Sequence, residues 1–89
     1  MSKIVYDVIL PVSVEKKIRK FPKKILERIR IAITGLRTDP IPFNCIQLQG
    51  FDRRYRLRVS EYRIVYEVDD GRIVVLVINI DHRKQVYDE

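Results

Sequence analysis

Several residue types are scarce in this chain of 89 residues, and each shortage narrows what the protein can be. The single cysteine, Cys45, allows no disulfide within the chain, which favours a cytoplasmic location. No apolar run approaches the roughly 20 residues that a membrane-spanning helix needs. The first residues also lack the long apolar segment and the small-residue cleavage site of a signal peptide. We therefore expect a cytoplasmic protein that does not enter a membrane.

Motifs for cofactors and metals are missing as well. The chain has one histidine and three glycines, with no glycine-rich phosphate loop and no His/Cys spacing of a metal site. No Ser/His/Asp set has a single credible geometry. We therefore expect any activity to proceed without a bound metal or cofactor.

Positive charge, by contrast, is plentiful. The chain carries 18 Lys and Arg against 12 Asp and Glu, a net charge of +6. Its length suits one domain, residues 1–89, and its hydrophobic fraction of 46% suffices for a compact core. A small basic domain is a candidate nucleic-acid binder, and the alternative is a basic surface that only faces solvent.

The apolar patterns predict an α+β fold with the order β-α-α-β-β-β. A helical hairpin is expected to pack on one face of a small, mainly antiparallel sheet of four strands. Ser13 is expected to cap the first helix and Pro22 to lie in the first turn of the second. The strands are predicted at residues 3–10, 53–59, 62–68 and 72–80, and the helices at residues 14–20 and 22–36. The last strand is apolar on both sides, so we expect it to be central and covered on both faces.

Five arginines lie between positions 53 and 66, and their spacing is that of strands. Tyr55, Leu57 and Val59 alternate with arginines, which is the period of a half-buried strand. A two-residue turn at positions 60 and 61 then places Arg58 directly opposite Arg63. Like charges in this arrangement destabilise a sheet, and such local conflicts tend to occur at functional sites.

The same register separates a structural arginine from candidate functional ones. Arg54 falls opposite Glu67, as an ordinary ion pair would. Arg56, Arg58 and Arg63 are left with no obvious nearby acid except Glu61. Guanidinium groups bind phosphate with two hydrogen bonds and stay charged, so the hairpin is predicted to bind a phosphodiester, most plausibly of RNA.

Cleavage of RNA by its own 2′-hydroxyl also requires groups that accept and donate protons, which arginines do poorly. The candidates are His82, Tyr87, Glu61, Glu67 and Asp81. The pKa range of histidine suits this task, although a lone histidine at a strand end serves equally well as a hydrogen-bonding residue. Tyr87 has three open interpretations: proton transfer, base stacking or plain packing.

Taken together, these segments resemble the RelE-type toxins of the RelE/ParE superfamily. The resemblance covers essentially the whole chain. Its motifs are Leu48-Gln49-Gly50, Tyr55-Arg56-Leu57-Arg58-Val59, Tyr62-Arg63-Ile64-Val65-Tyr66, His82-Arg83-Lys84 and Val86-Tyr87.

The resemblance implies the toxin of a type II toxin–antitoxin system, an endoribonuclease that cuts mRNA in the A site of the 70S ribosome. Arg56, Arg58, Arg63, Arg83 and Tyr87 match the family's functional positions, and His82 matches a histidine found in part of the superfamily. The implied partner is a RelB-like antitoxin, acidic and partly disordered, which forms a hetero-oligomer with the toxin. The alternatives are a ParE-like gyrase inhibitor and a non-catalytic module that binds RNA or antitoxin.

Overall fold

The structure is a computed structural model that describes residues 4–82, and this part of the chain forms two helices and five strands. In chain order these are β1 (Asp7–Ile9), α1 (Val12–Ile18), α2 (Lys23–Gly35), β2 (Cys45–Gln47), β3 (Arg54–Val59), β4 (Tyr62–Asp69) and β5 (Val74–His82). The predicted α+β class is confirmed, as are the two consecutive helices and the three consecutive strands that end the described chain.

The strands form one sheet in the order β1-β5-β4-β3-β2. β1 runs parallel to β5, and the other neighbours are antiparallel. The prediction of four strands is wrong by one, because β2 pairs with β3 through Cys45, Ile46 and Gln47. A strand of three residues is too short to show an alternating pattern, so the sequence does not reveal it.

Both helices cover one face of the sheet, which we call the helix face. Val14 and Ile18 of α1 and Ile29 and Ile33 of α2 are buried, as is Leu36 just after α2. They pack with the buried strand residues Tyr55, Leu57, Ile64, Tyr66, Val68, Val75, Val77 and Ile80. We call the opposite side the open face, since neither of the described helices packs on it. It carries the side chains that alternate with these core residues.

β5 lies between β1 and β4, as predicted, but within residues 4–82 the helices cover only its helix face. Leu76 on the open face is 36% exposed. A bulge shifts the pairing with β4, because Val65 pairs with Asn79 whereas the next residue, Tyr66, pairs with Val77. The extra residue, Ile78, reverses the alternation, so that Ile80 faces the core and Asn79 and Asp81 share a face with Arg63.

The helix starts differ from the predictions by a residue or two. α1 begins at Val12, so Ser13 lies inside its first turn and makes no capping hydrogen bond. The first turn is closed by the backbone N–H of Glu15, which donates to the Pro11 carbonyl at 2.9 Å. Pro22 precedes α2 rather than entering it. Within residues 4–82, neither helix is long and apolar enough to cross a membrane.

Candidate functional site

The open face of β3 and β4 carries the arginines that the sequence singles out. Tyr55 and Leu57 of β3 are buried on the helix face, whereas Arg56 is half-buried and Arg58 is exposed. The predicted register is confirmed: Arg58 pairs with Arg63, and Arg54 pairs with Glu67. Arg56, Arg58 and Arg63 therefore form one cationic cluster on the open face near the β3–β4 turn.

Arg58 is the most accessible member of this cluster. Its side chain is 62% exposed, and its Nη2 lies 3.8 Å from Glu61 Oε2 in the turn. Its Nε donates to the backbone carbonyl of Ser60 at 3.0 Å. Arg56 and Arg63 also interact with other residues. The contact of Arg58 with Glu61 agrees with the expectation that Glu61 is the acid near these arginines. The cluster is thus partly held in place by the protein itself.

The other end of the open face is electrically balanced. Arg54 donates from Nε and Nη2 to Glu67 Oε2 at 2.9 and 2.6 Å, which confirms the predicted ion pair. Its guanidinium also lies 3.8 Å from the centre of the Phe51 ring. Arg53 Nη2 donates to Asp70 Oδ2 at 2.5 Å. These cations are neutralised by carboxylates, so this end of the sheet offers little net charge to an anion.

Asp70 also accepts a hydrogen bond from the Tyr6 hydroxyl at 2.7 Å. This bond raises the pKa of Tyr6, because it stabilises the protonated phenol next to a carboxylate. A depression of about 520 Å³ lies at this end of the open face, and its lining includes Ile9, Arg53, Glu67, Asp70 and Leu76. Arg58 and Arg63 lie at the opposite end of the β3–β4 hairpin, so the depression is not part of the cationic cluster.

His82 ends β5 on the other side of the sheet from the arginines. It pairs in register with Tyr62, and its ring meets the Tyr62 ring edge-on, with centroids 5.1 Å apart. The Tyr62 ring in turn packs against the ring of Phe21, three residues after α1, and their centroids lie 4.5 Å apart. The structure therefore brings His82 to the same end of the sheet as Arg63 but places its ring on the helix face.

The remaining two predicted site residues, Arg83 and Tyr87, lie outside the described residues. The described chain ends at His82, the neighbour of Asp81, which pairs with Arg63. The described chain thus ends at the end of the sheet that carries the cationic cluster.

The sequence analysis missed a polar cluster beside the arginines. Lys17 of α1 forms an ion pair with Asp81 and donates to Asn79 Oδ1 at 3.2 Å. Asn79 Nδ2 donates to the second carboxylate oxygen of Asp81 at 2.6 Å. Asp81 had been considered only as a proton carrier. The role of Lys17 could not be predicted from the sequence, because a charged residue on a helix is ordinarily solvated. Its partners also lie more than 60 positions away in the chain.

Chemically, the cluster can hold and neutralise a phosphodiester. Guanidinium groups supply hydrogen-bond donors in a geometry that fits phosphate, and a half-buried position strengthens their field. Residues 4–82 contain no group of three or more His, Cys, Asp and Glu side chains placed to bind a metal ion.

Comparison with known proteins identifies the family of this chain. The family model described as "ParE toxin of type II toxin-antitoxin system, parDE" matches residues 8–87. The chain belongs to the RelE/ParE toxin superfamily. It is a RelE-like toxin of the type II toxin–antitoxin class.

Relatives of this toxin carry RelE names. It is 34% identical over 79 residues to the mRNA interferase toxin RelE of Escherichia coli, covering 86% of this chain and 73% of that protein. It is 28% identical over 85 residues to a protein of Methanocaldococcus jannaschii named RelE1, covering 92% and 94% of the two chains. Its fold matches RelE in the RelE–RelB complex of Pyrococcus horikoshii with a TM-score of 0.80 at 27% identity, covering 89% and 96%. The toxin thus has the RelE fold.

Proposed function

We propose that this toxin is a ribosome-dependent endoribonuclease that cuts mRNA in the A site and so inhibits translation. The observation that carries the proposal is the cluster of Arg56, Arg58 and Arg63 on the open face, with Arg58 directly opposite Arg63. This arrangement costs stability through like-charge repulsion, and a bound phosphate would relieve it. The name mRNA interferase, borne by the E. coli relative, supports the same activity.

In the proposed reaction, the 2′-hydroxyl of the mRNA loses its proton and attacks the adjacent phosphorus, which forms a 2′,3′-cyclic phosphate. The bond to the 5′-oxygen breaks, and the leaving 5′-oxygen takes up a proton. The arginines stabilise the additional negative charge on the phosphoryl oxygens in the transition state. Arg83 is proposed to add a fourth guanidinium from the C-terminal segment. This role of the arginines requires no proton transfer, in keeping with their permanent charge.

We assign proton transfer to Tyr87 in preference to His82. The His82 ring packs against Tyr62 on the helix face, away from the side chains of Arg58 and Arg63. Tyr87 lies in the segment that follows directly and matches the family's tyrosine position. General acid–base catalysis by one positioned group contributes roughly 100- to 10,000-fold to a rate, so its removal has a measurable signature.

An antitoxin is the proposed protein partner. The RelE of P. horikoshii was crystallised with RelB, and this toxin shares its fold. The net charge of +6 supports an acidic partner, because opposite charges steer association and favour a chain that folds on binding. We propose a cytoplasmic toxin–antitoxin hetero-oligomer in which the antitoxin blocks access to mRNA.

The test is cell-free translation with purified toxin, with mRNA ends mapped by primer extension. Wild-type toxin is expected to produce new ends within codons in the A site. Arg63→Ala and Tyr87→Phe are expected to lose cleavage by at least about 100-fold while folding normally. Arg72→Ala is the matched control, because it removes the same charge from a side chain that is 85% exposed at the opposite end of the sheet.

Intact message at one toxin per ribosome would contradict the proposal. Equal losses in Arg63→Ala and Arg72→Ala would also contradict it, since activity would then follow net charge and not the cluster. Either result would favour the second candidate function, inhibition of gyrase by a ParE-like toxin. The description of the matching family model supports this candidate. A gyrase supercoiling assay with the same protein distinguishes that activity.

A further inference from the structure

Asp81 is a charged residue that the fold has buried, with only 8% of its surface exposed. Both of its carboxylate oxygens are engaged. Oδ1 faces the Lys17 ammonium, and Oδ2 accepts from Asn79 Nδ2 at 2.6 Å. Lys17 also donates to Asn79 Oδ1 at 3.2 Å, so the three side chains, which we call the Lys17 cluster, form a closed network.

The Lys17 cluster adjoins the candidate site through the strand register. Asp81 of β5 is the direct partner of Arg63 of β4. Side chains directly opposite each other in an antiparallel pair have Cβ atoms about 4.5–5.5 Å apart. The bulge at Ile78 is what turns Asp81 to the same face as Arg63, because Val65 pairs with Asn79 across it.

This position creates an electrostatic problem for a phosphate-binding site. A carboxylate is a strong partner for a guanidinium, so Asp81 opposes the binding of a phosphate at Arg63. A buried carboxylate is also poorly screened by solvent, which increases its effect on neighbouring charges. A positive charge placed against Asp81 cancels this effect.

Lys17 supplies that charge from another element of the fold. β1 pairs only with residues 74–76 of β5, so among the described strands none lies beside residues 79–81 on that edge. The side chain of Lys17 reaches this edge from α1 and is 40% exposed there. Its ammonium thus meets Asp81 from a different element than Arg63, which lies on β4.

We propose that Lys17 is a positioning residue of the RNA site. By neutralising Asp81, it prevents this carboxylate from cancelling the positive charge of Arg63. The inference rests on the proposed binding of RNA by Arg63. It predicts opposite effects for two substitutions in one ion pair. Removing the ammonium weakens RNA binding, whereas removing the carboxylate strengthens it. A purely structural ion pair predicts that both changes lower stability and that neither alters binding by the folded protein.

The experiment measures binding of the full-length toxin to a 70S ribosome that holds an uncleavable mRNA, with a 2′-deoxy sugar at every A-site position that could be cut. Fluorescence anisotropy gives the dissociation constant at several salt concentrations, at a temperature where circular dichroism shows every variant to be folded. The variants are Lys17→Met, Asp81→Asn and the double variant, which restores the net charge of the wild type. Lys16→Met is the matched control, because its neighbouring side chain is exposed and carries the same charge.

We expect Lys17→Met to weaken binding roughly tenfold and Lys16→Met by no more than about twofold. Asp81→Asn is expected to tighten binding, and the double variant to return close to the wild type. Equal effects of Lys17→Met and Lys16→Met would overturn the inference, as would weaker binding by Asp81→Asn. Failure of the wild type to bind the programmed ribosome would overturn the proposed RNA recognition itself, whereas wild-type binding that does not depend on Lys17 overturns only the role of Lys17.

Discussion

Arg54 and Glu67 face each other across β3 and β4, and both Nε and Nη2 of the arginine donate to one carboxylate oxygen, at 2.9 and 2.6 Å. β3 continues with Arg56 and Arg58 on the same face. Arg56 lies opposite Val65, and Arg58 lies opposite Arg63. One strand thus carries a neutralised arginine at one end and a cationic cluster at the other. The contrast provides a direct test of which arginines serve binding.

The double variant Arg54→Gln, Glu67→Gln is expected to leave RNA binding and cleavage unchanged, since it removes two charges that already balance each other. The free energy of unfolding should fall by no more than about 1 kcal/mol, as for other partly exposed ion pairs. Arg58→Gln should instead lower the slope of log affinity against log salt by about 0.7, the value for one phosphate contact on a single strand. Salt titrations of both variants with the uncleavable RNA check this, and equal slopes would contradict it.

His82→Phe is expected to retain the fold and most of the cleavage activity. The substituted ring keeps the edge-on contact with Tyr62, which lies 5.1 Å away in the wild type. His82→Ala should lower the free energy of unfolding by about 1 kcal/mol, because the aromatic contact is lost. Thermal unfolding together with mRNA-end mapping checks both outcomes. A stable His82→Phe variant that no longer cuts would assign proton transfer to His82.

Tyr66 provides a prediction about pH. Its ring is fully buried in the core, and burial raises the pKa of its hydroxyl above the ordinary value. The unfolded chain therefore loses this proton first, at a pH near about 10. Below that pH the contribution of Tyr66 to stability is complete, and above it the free energy of unfolding falls by up to about 1.4 kcal/mol per pH unit.

Tyr66→Phe should remove this part of the alkaline dependence. At neutral pH it should cost about 1–2 kcal/mol, because the Pro40 carbonyl loses the hydrogen bond that the hydroxyl donates at 2.8 Å. Urea denaturation at pH 8 and pH 11 gives both values. Tyr6→Phe tests the contribution of the other tyrosine with a raised pKa, whose hydroxyl bonds to Asp70. An unchanged alkaline slope in Tyr66→Phe would show that another group is responsible.

Ile73, in the turn between β4 and β5, has a backbone φ of 58°. A β-branched side chain in the left-handed region is strained, and its 40% exposure means that its removal gives up less burial than the removal of a core isoleucine. Ile73→Gly is expected to raise the free energy of unfolding by about 1 kcal/mol, which corresponds to about 4–8 °C in Tm. Ile73→Val keeps the branched side chain and should give no gain. A lower Tm for the glycine variant would contradict the strain.

Much of this molecule could be predicted from local patterns. The alternation of arginines with Tyr55 and Leu57 predicts β3, and the two-residue turn then predicts every pair of the β3–β4 hairpin, which the structure confirms. Hairpin register depends on neighbours in sequence and on turn length, so short-range information suffices. The family membership rests on the same motifs.

Other features depended on contacts between distant segments. The pairing of β2, the bulge at Ile78 and the placing of the His82 ring on the helix face all follow from how strands meet, which no local period encodes. The partnership of Lys17 with Asp81 is the clearest case, since 64 positions separate the two residues in the sequence. The sequence by itself determined which residues form the cationic hairpin, because a strand's alternation and its turn are local. Only the tertiary structure decided which charges are cancelled, because a charge is neutralised by whatever side chain the packing brings against it.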